Sequence, residues 1–166
     1  LSEAFGNTID RLIGLKFPAY AVPHPHKVLW ILHQHRPAYD LWEHPQAGDL
    51  KYAPNGCYIR DAIRQADREF IGEARAVFAN SRNVAERLRL GCGITAEPLY
   101  HPPPGAESFY CERARDYILF PSRINLLKRQ KLAIEALALT REPVRLMFIG
   151  AADSPELESE CARLAS

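Results

Sequence analysis

The sequence predicts an α/β protein whose parallel strands belong to two domains joined by a proline-rich hinge. Short continuous apolar runs alternate with longer segments whose apolar residues recur at helical spacing, an order typical of βαβ units. Pro98 and Pro102–Gly105 interrupt this alternation, because proline lacks the backbone N–H that a helix interior or a central strand requires.

Three buried strands are predicted in the first half of the chain. Their apolar runs are continuous rather than alternating, which is typical of strands buried on both faces of a parallel sheet. The predicted strands are Ile9–Leu15, Val28–Leu32 and Ala76–Ala79. We expect all three to lie in one parallel sheet.

Two helices are predicted in the same half. Apolar residues recur at helical spacing over Tyr58–Arg75. Ser81 is an N-cap candidate for a helix over residues 82–90, because its hydroxyl can accept a hydrogen bond from a free N–H, and Gly91 and Gly93 indicate where that helix ends. The first helix also carries four acidic residues that we interpret as solvated charges: Asp61, Asp67, Glu69 and Glu73.

The second half of the chain predicts one further βαβα unit. Its strands are Tyr117–Phe120 and Val144–Ile149, with a helix between them that Asn125 caps and that runs to Leu139. Ser154-Pro155 opens a last helix, since proline is favoured at the first helical position. Two strands are few for a sheet, so we expect the chain to be a piece of a longer protein.

Bulk composition excludes several classes of protein. The 166 residues contain 47% hydrophobic and 25% charged residues, which is typical of a globular chain. Lys and Arg number 21 against 20 Asp and Glu, so no general affinity for nucleic acid is expected. No apolar run reaches the ~20 residues of a membrane span, so no transmembrane segment is expected.

The four cysteines predict the redox environment. They lie far apart, with no Cys-x-x-Cys pair, at positions 57, 92, 111 and 161. This spacing favours reduced thiols in a cytoplasmic protein. Peripheral association with the inner membrane face is the alternative location, on which the cysteines have no bearing.

A basic segment between the last two predicted strands is the first candidate for chemistry. Arg123 and Lys128 lie between a strand and a helix, where cations and free helix N–H groups can converge on a phosphate. Arginine offers a planar fork and lysine a point charge. The spacing alone fits a solvated basic helix start equally well, and the glycine-rich dinucleotide and Walker motifs are missing from the sequence.

Histidines after the second predicted strand are the other candidates. His33 and His35 follow a buried strand, where active sites of α/β proteins gather, although local packing is the plainer alternative. His24 and His26 form a second His-x-His pair, but no cysteine or carboxylate completes a zinc spacing, so no metal site is predicted. Ser81 lacks the nucleophile-elbow glycines and is interpreted as a helix cap.

Four stretches together resemble the group 1 (family four) glycosyltransferases. They are LKFPAY at 15–20, HQHRPAYDLW at 33–42, FANSRNVAERL at 78–88 and FPSRINLLKRQKLAIEAL at 120–137. The most specific piece is Ser122-Arg123 followed by Lys128 and Ile134-Glu135-Ala136, which is similar to the strand–Arg–loop–Lys–helix element that opens the C-terminal domain in that family. The similarity extends over residues 9–166.

The resemblance implies a GT-B fold of two Rossmann-like domains. Residues 1–99 would be the last part of the N-terminal acceptor-side domain, residues 100–112 the linker, and residues 113–166 the first part of the C-terminal donor domain. It also implies transfer of a sugar, with retention, from a nucleotide-diphospho-sugar to a glycan, lipid-linked sugar or small molecule, without a metal or other cofactor. Arg123 and Lys128 would bind the donor diphosphate, and His33 would be the catalytic residue facing the donor sugar.

Other classes of function remain open beside this one. The Glu-x7-Glu element and the glycine-rich loop of the family are not in the sequence, so we expect the 166-residue chain alone to be inactive. A non-catalytic GT-B scaffold that binds partners, or a GT-B nucleotide-sugar epimerase, would share the motifs that are present. A nucleic-acid-binding module is disfavoured, because the net charge is +1 and no basic face is interleaved with aromatic residues.

Overall fold

The computed structural model describes residues 3–45 and 47–165, which divide into two compact units. Unit 1 is Leu1–Ala106 and unit 2 is Glu107–Ser166. Unit 1 contains a four-stranded parallel sheet and unit 2 a two-stranded parallel sheet, each accompanied by helices. The predicted α/β class with parallel sheets is therefore confirmed and fits parts of Rossmann-like domains, whereas the identities of the two units as acceptor and donor domains stay predictions.

The sheet of unit 1 contains the three strands that the sequence predicts and one that it does not. The strands, in spatial order, are β3 (Leu12–Lys16), β4 (Lys27–His33), β5 (Ala76–Ala79) and β6 (Glu97–Pro98), all parallel to their neighbours. A small antiparallel hairpin of β1 (Glu3–Ala4) and β2 (Asn7–Thr8) precedes them. Strand β6 has no apolar run, and its proline is tolerated because the strand lies at the edge of the sheet.

The core of unit 1 lies on one face of the sheet. Leu29 and Ile31 of β4 are fully buried and belong to the same apolar cluster as Ile71 and Leu88 from the following helices. Burial along β4 alternates between full and partial, so one face is less covered than the continuous apolar run predicts. The helices therefore fix which face of β4 is buried.

Unit 1 has three helices: α1 (Asp49–Tyr52), α2 (Gly56–Gly72) and α3 (Arg82–Cys92). Helices α2 and α3 begin and end close to the predicted positions, whereas the short α1 is not predicted by the sequence. The Ser81 hydroxyl accepts a hydrogen bond from the Val84 N–H at 3.3 Å, which confirms the predicted N-cap. Gly93 ends α3 with a φ of 72°, whereas Gly91 lies inside the helix rather than beyond it.

Unit 2 has the predicted order of strands and helices. Its elements are β7 (Ile118–Pro121), α4 (Gln130–Leu137), β8 (Leu146–Ile149) and α5 (Pro155–Ala165). Strands β7 and β8 pair in parallel, and the Ser154 hydroxyl accepts a hydrogen bond from the Leu157 N–H at 3.4 Å at the start of α5. Helix α4 begins at Gln130, so the prediction that Asn125 caps this helix is wrong.

Among the helices of residues 3–45 and 47–165, none combines the length and the apolar character that crossing a membrane requires.

Candidate functional site

The loops that follow β7 and β8 form the first candidate site. In a parallel sheet the carboxyl ends of neighbouring strands lie at the same edge, where ligands of α/β proteins usually bind. We call the two loops, Ser122–Arg129 and Gly150–Ser154, the unit 2 edge. This edge carries two of the predicted site residues, Arg123 and Lys128.

Backbone hydrogen bonds continue from the strands into the unit 2 edge. The Ser122 N–H donates to the Ile149 carbonyl at 2.9 Å, and the Ile124 N–H donates to the Ala151 carbonyl at 2.9 Å. The Asp153 N–H in turn donates to the Ile124 carbonyl at 3.0 Å. Gly150 makes this approach possible, because a Cβ atom at that position would lie 2.4 Å from the Ser122 carbonyl oxygen.

The two cationic side chains of the unit 2 edge are both open to solvent. Arg123 is 69% exposed, and its Nη1 atom lies 3.0 Å from Oδ1 of Asp153. The Lys128 side chain is exposed, and its ammonium forms no ion pair within the part of the chain that the structure describes. An incoming anion can therefore reach both cations, one of which already has a carboxylate partner.

A buried glutamine fixes the backbone between Arg123 and Lys128. Gln130 is 2% exposed, and its Nε2 donates to the Arg123 carbonyl at 2.7 Å while its Oε1 accepts from the Asn125 N–H at 3.3 Å. The Asn125 side chain accepts from the Lys128 N–H at 2.9 Å. Asn125 thus closes a turn within the loop instead of capping α4. Sequence reasoning missed Gln130, because a glutamine on a helix has no pattern that predicts burial.

His33 lies in unit 1, at the carboxyl end of β4. Its side chain is exposed, and its Nδ1 atom lies 2.7 Å from the Gln34 carbonyl oxygen. A carbonyl only accepts hydrogen bonds, so Nδ1 donates to it, and the tautomer with its hydrogen on Nδ1 leaves the Nε2 lone pair available. His33 can therefore accept a hydrogen bond from a hydroxyl group of a ligand.

The other predicted candidate histidines make local contacts. His35 packs against Phe17, with ring centroids 5.1 Å apart. His24 Nε2 lies 2.9 Å from the Ile9 carbonyl oxygen, and His26 Nδ1 lies 2.9 Å from the Asp10 carbonyl oxygen. Across residues 3–45 and 47–165, no group of three or more His, Cys, Asp or Glu side chains is arranged to hold a metal ion.

A buried carboxylate joins the loops at the carboxyl edge of the unit 1 sheet. Asp67, on α2, is completely buried and accepts hydrogen bonds from the Tyr20 hydroxyl at 2.5 Å and the Tyr39 hydroxyl at 2.7 Å. Burial raises the pKa of Asp67, and the two tyrosine hydrogen bonds oppose that rise. The prediction that Asp67 is a solvated charge is therefore wrong.

This network extends to the loop that follows His33. The Tyr39 hydroxyl lies 3.3 Å from Cys92 Sγ, and the Gln34 side-chain amide donates to the same sulfur at 2.9 Å. Burial raises the pKa of Cys92. We call this set of linked residues the Asp67 network: Asp67, Tyr20, Tyr39, Cys92 and Gln34. Its members are far apart in sequence, so no local motif indicates it.

The acidic residue that follows α2, Glu73, also has a partner. Glu73 Oε2 lies 3.0 Å from Nζ of Lys27, which is 1% exposed and also donates to the Tyr20 carbonyl at 3.1 Å. The Glu73 side chain is half exposed, so it is a surface residue that compensates a buried cation. Asp61 and Glu69 are exposed, as predicted.

All four cysteines are free; Cys57 and Cys111 are exposed, whereas Cys92 and Cys161 are buried.

Comparisons with protein-family models, curated proteins and solved structures find no match for this chain. The functional assignment therefore depends on the residues of the chain and their geometry.

Proposed function

We propose that the chain is part of a nucleotide-diphospho-sugar-dependent glycosyltransferase and that the unit 2 edge binds the diphosphate of the donor. The observation that carries the proposal is the exposed Arg123 guanidinium at the carboxyl end of β7, on a backbone that Gln130 holds in place. Lys128, later in the same loop, supplies a second cation. Arginine and lysine in such a loop suit a diphosphate, because one binds two oxygens in a fork and the other acts as a point charge.

The two cations fit the chemistry of sugar transfer. When the bond between the sugar and the diphosphate breaks, negative charge develops on the leaving diphosphate. Arg123 and Lys128 would stabilise this charge more strongly in the transition state than in the bound donor, which is the condition for accelerating the reaction. The proposal needs no metal ion, because the two side chains supply the positive charge.

His33 has a separate role in the proposal. Its Nε2 atom is available to accept a hydrogen bond, and the side chain is exposed at the end of β4. We assign it the binding of a hydroxyl group of a sugar substrate. The acceptor would be a glycan, a lipid-linked sugar or a small molecule.

Calorimetry with nucleoside diphosphates and nucleotide-diphospho-sugars at low salt tests the donor site. Arg123→Ala and Lys128→Ala should each weaken binding about tenfold or more, since charge-assisted hydrogen bonds to an anion are among the stronger polar contacts. Arg145→Ala is a matched control, because Arg145 is also an exposed arginine whose guanidinium lies 3.0 Å from an aspartate, Asp116, but it precedes β8 at the opposite edge of the sheet. Equal effects of all three substitutions would contradict a specific site.

Donor turnover separates the proposed transferase from its alternatives. A protein that contains this chain should release the nucleoside diphosphate and transfer the sugar to an acceptor. A non-catalytic scaffold would bind the donor without consuming it, and an epimerase would return a changed sugar without an acceptor. Product analysis by mass spectrometry and NMR distinguishes the three results.

A further inference from the structure

The two loops of the unit 2 edge, each taken with the start of the helix that follows it, carry opposite charges. From Ser122 to Lys131 the chain has four cations and no acid: Arg123, Lys128, Arg129 and Lys131. From Gly150 to Ala162 it has four acids and no lysine or arginine: Asp153, Glu156, Glu158 and Glu160. The site proposed to bind a diphosphate therefore has an acidic neighbour.

Asp153 is the acid that meets the proposed site directly. Its Oδ1 atom lies 3.0 Å from Nη1 of Arg123, and its N–H donates to the Ile124 carbonyl at 3.0 Å. The backbone hydrogen bond holds the Asp153 backbone beside the loop that carries Arg123. Lys131 and Glu160 form a second ion pair between α4 and α5, at 2.5 Å.

We propose that Asp153 is a counter-ion that competes with the donor diphosphate for Arg123 and so sets the charge selectivity of the unit 2 edge. This inference rests on the proposed function, because it assigns a selectivity determinant to the same site. A diphosphate that binds Arg123 either displaces the Asp153 carboxylate or shares the guanidinium with it. In both cases the carboxylate repels the diphosphate. The repulsion is greater for inorganic pyrophosphate or a nucleoside diphosphate than for a nucleotide-diphospho-sugar, because a diphosphate that is esterified at both ends carries fewer negative charges.

The exposure of the ion pair indicates that Asp153 competes with anions for Arg123 rather than holding the Arg123 side chain in position. Arg123 is 69% exposed and Asp153 41% exposed, and an ion pair this open to water contributes little to fixing a side chain. The carboxylate charge nevertheless persists at the site after the pair is broken. Its main effect is therefore on the affinity for anions, and salt should screen this effect.

Calorimetry of the 166-residue chain with inorganic pyrophosphate tests the inference. Asp153→Asn removes the charge and keeps the shape of the side chain. We expect it to tighten binding about threefold to tenfold at low salt, and less at high salt because the removed repulsion is screened. The gain should be smaller for a nucleotide-diphospho-sugar. Asp153→Ser, which also keeps the backbone N–H, should act in the same direction.

Two further variants locate the effect. Asp116→Asn is the matched control, because it removes an aspartate that lies 3.0 Å from the exposed Arg145 before β8. It should leave pyrophosphate affinity unchanged. In an Arg123→Gln background, Asp153→Asn should give a smaller gain, because competition for Arg123 is gone and only the repulsion of the anion by the carboxylate remains to be removed. Thermal unfolding of each variant establishes that it is folded.

The outcomes separate failure of the inference from failure of the proposed function. If Arg123→Gln does not weaken pyrophosphate binding, or if neither the unsubstituted chain nor Asp153→Asn binds pyrophosphate, the proposed site fails and the inference fails with it. If Arg123→Gln weakens binding but Asp153→Asn leaves it unchanged or weakens it, only the role of Asp153 is overturned. An equal gain from Asp116→Asn would also overturn it, because the effect would then be general to the surface.

Discussion

Both parallel sheets end in loops that bear polar side chains, but in unit 1 the central group is buried and in unit 2 it is exposed. Asp67 in unit 1 is completely buried and bonded to two tyrosine hydroxyls, whereas Arg123 in unit 2 is 69% exposed and paired with one carboxylate. A buried polar group affects stability strongly if its partners are lost, while an exposed pair contributes little. We therefore expect substitutions at the first edge to change stability and substitutions at the second to change binding and catalysis.

Asp67→Ala should give the largest loss of stability. It leaves two tyrosine hydroxyls without their acceptor and creates a cavity, which together should lower the free energy of unfolding of unit 1 by about 3 kcal/mol. Urea unfolding followed by circular dichroism measures this loss. Asp61→Ala, at an exposed position of the same helix, is the control and should leave the unfolding midpoint unchanged. A midpoint for Asp67→Ala equal to that of the control would show that the buried network does not stabilise unit 1.

Arg123→Ala and Lys128→Ala should show the opposite behaviour. In the full-length glycosyltransferase that we propose, each should lower kcat/KM by about 10²-fold, as removal of a charge partner in the transition state typically does. The thermal midpoint should barely change, because both side chains are exposed. Steady-state kinetics with saturating acceptor measure the first effect. Near-native turnover by both variants would mean that the basic loop is only a solvated surface.

The sequence predicts the features of the molecule that depend on neighbouring residues and misses those that do not. Continuous apolar runs predict β4, β5 and β8, because each run consists of neighbouring residues and can be read without knowledge of tertiary contacts. The same is true of Arg123, whose position after a strand can be seen in the sequence. Strand β6 could not be predicted, since a two-residue edge strand that contains Pro98 has no pattern of its own.

Contacts between distant residues account for the failures at the two sites. The partners of Asp67 come from loops 47 and 28 residues away, so its helical neighbourhood alone suggested a solvated acid. The start of α4 was misplaced because Arg129 takes a left-handed backbone conformation, with φ of 61°, and the turn closed by Asn125 precedes it. Asp153 was not recognised as the partner of Arg123, since 30 residues separate them.

A glycine substitution tests how closely the Asp67 network is packed. A Cβ atom at Gly91 would lie 2.9 Å from Cε1 of Tyr39 and 3.1 Å from Nε2 of Gln34. Gly91→Ala should therefore displace one of these side chains and destabilise unit 1 by about 1–2 kcal/mol, even though alanine favours a helix. At Gly72, the last residue of α2, the nearest atom would be 4.0 Å away, so Gly72→Ala should be neutral or stabilising by up to about 1 kcal/mol. Similar unfolding midpoints for the two variants would contradict close packing at Tyr39.

The smallest expected effect is a dependence on pH that arises from Asp67. Burial raises its pKa in the folded chain above the value of about 3.9 for an unfolded aspartate. In the window between these two pKa values the folded chain binds more protons than the unfolded chain, so the stability contributed by Asp67 is fully present below about pH 4 and declines as the pH rises through the folded pKa. The free energy of unfolding of the unsubstituted chain, minus that of Asp67→Asn, should therefore fall with rising pH, because asparagine does not titrate.

Urea unfolding at several pH values measures this difference, and the same subtraction with Asp61→Asn is the control for exposed acids. The slope should be shallow, because the tyrosine hydrogen bonds favour the ionised form and oppose the effect of burial. A difference that increases with pH would mean that the two hydroxyls outweigh burial, and that the carboxylate of Asp67 is stabilised in its ionised form.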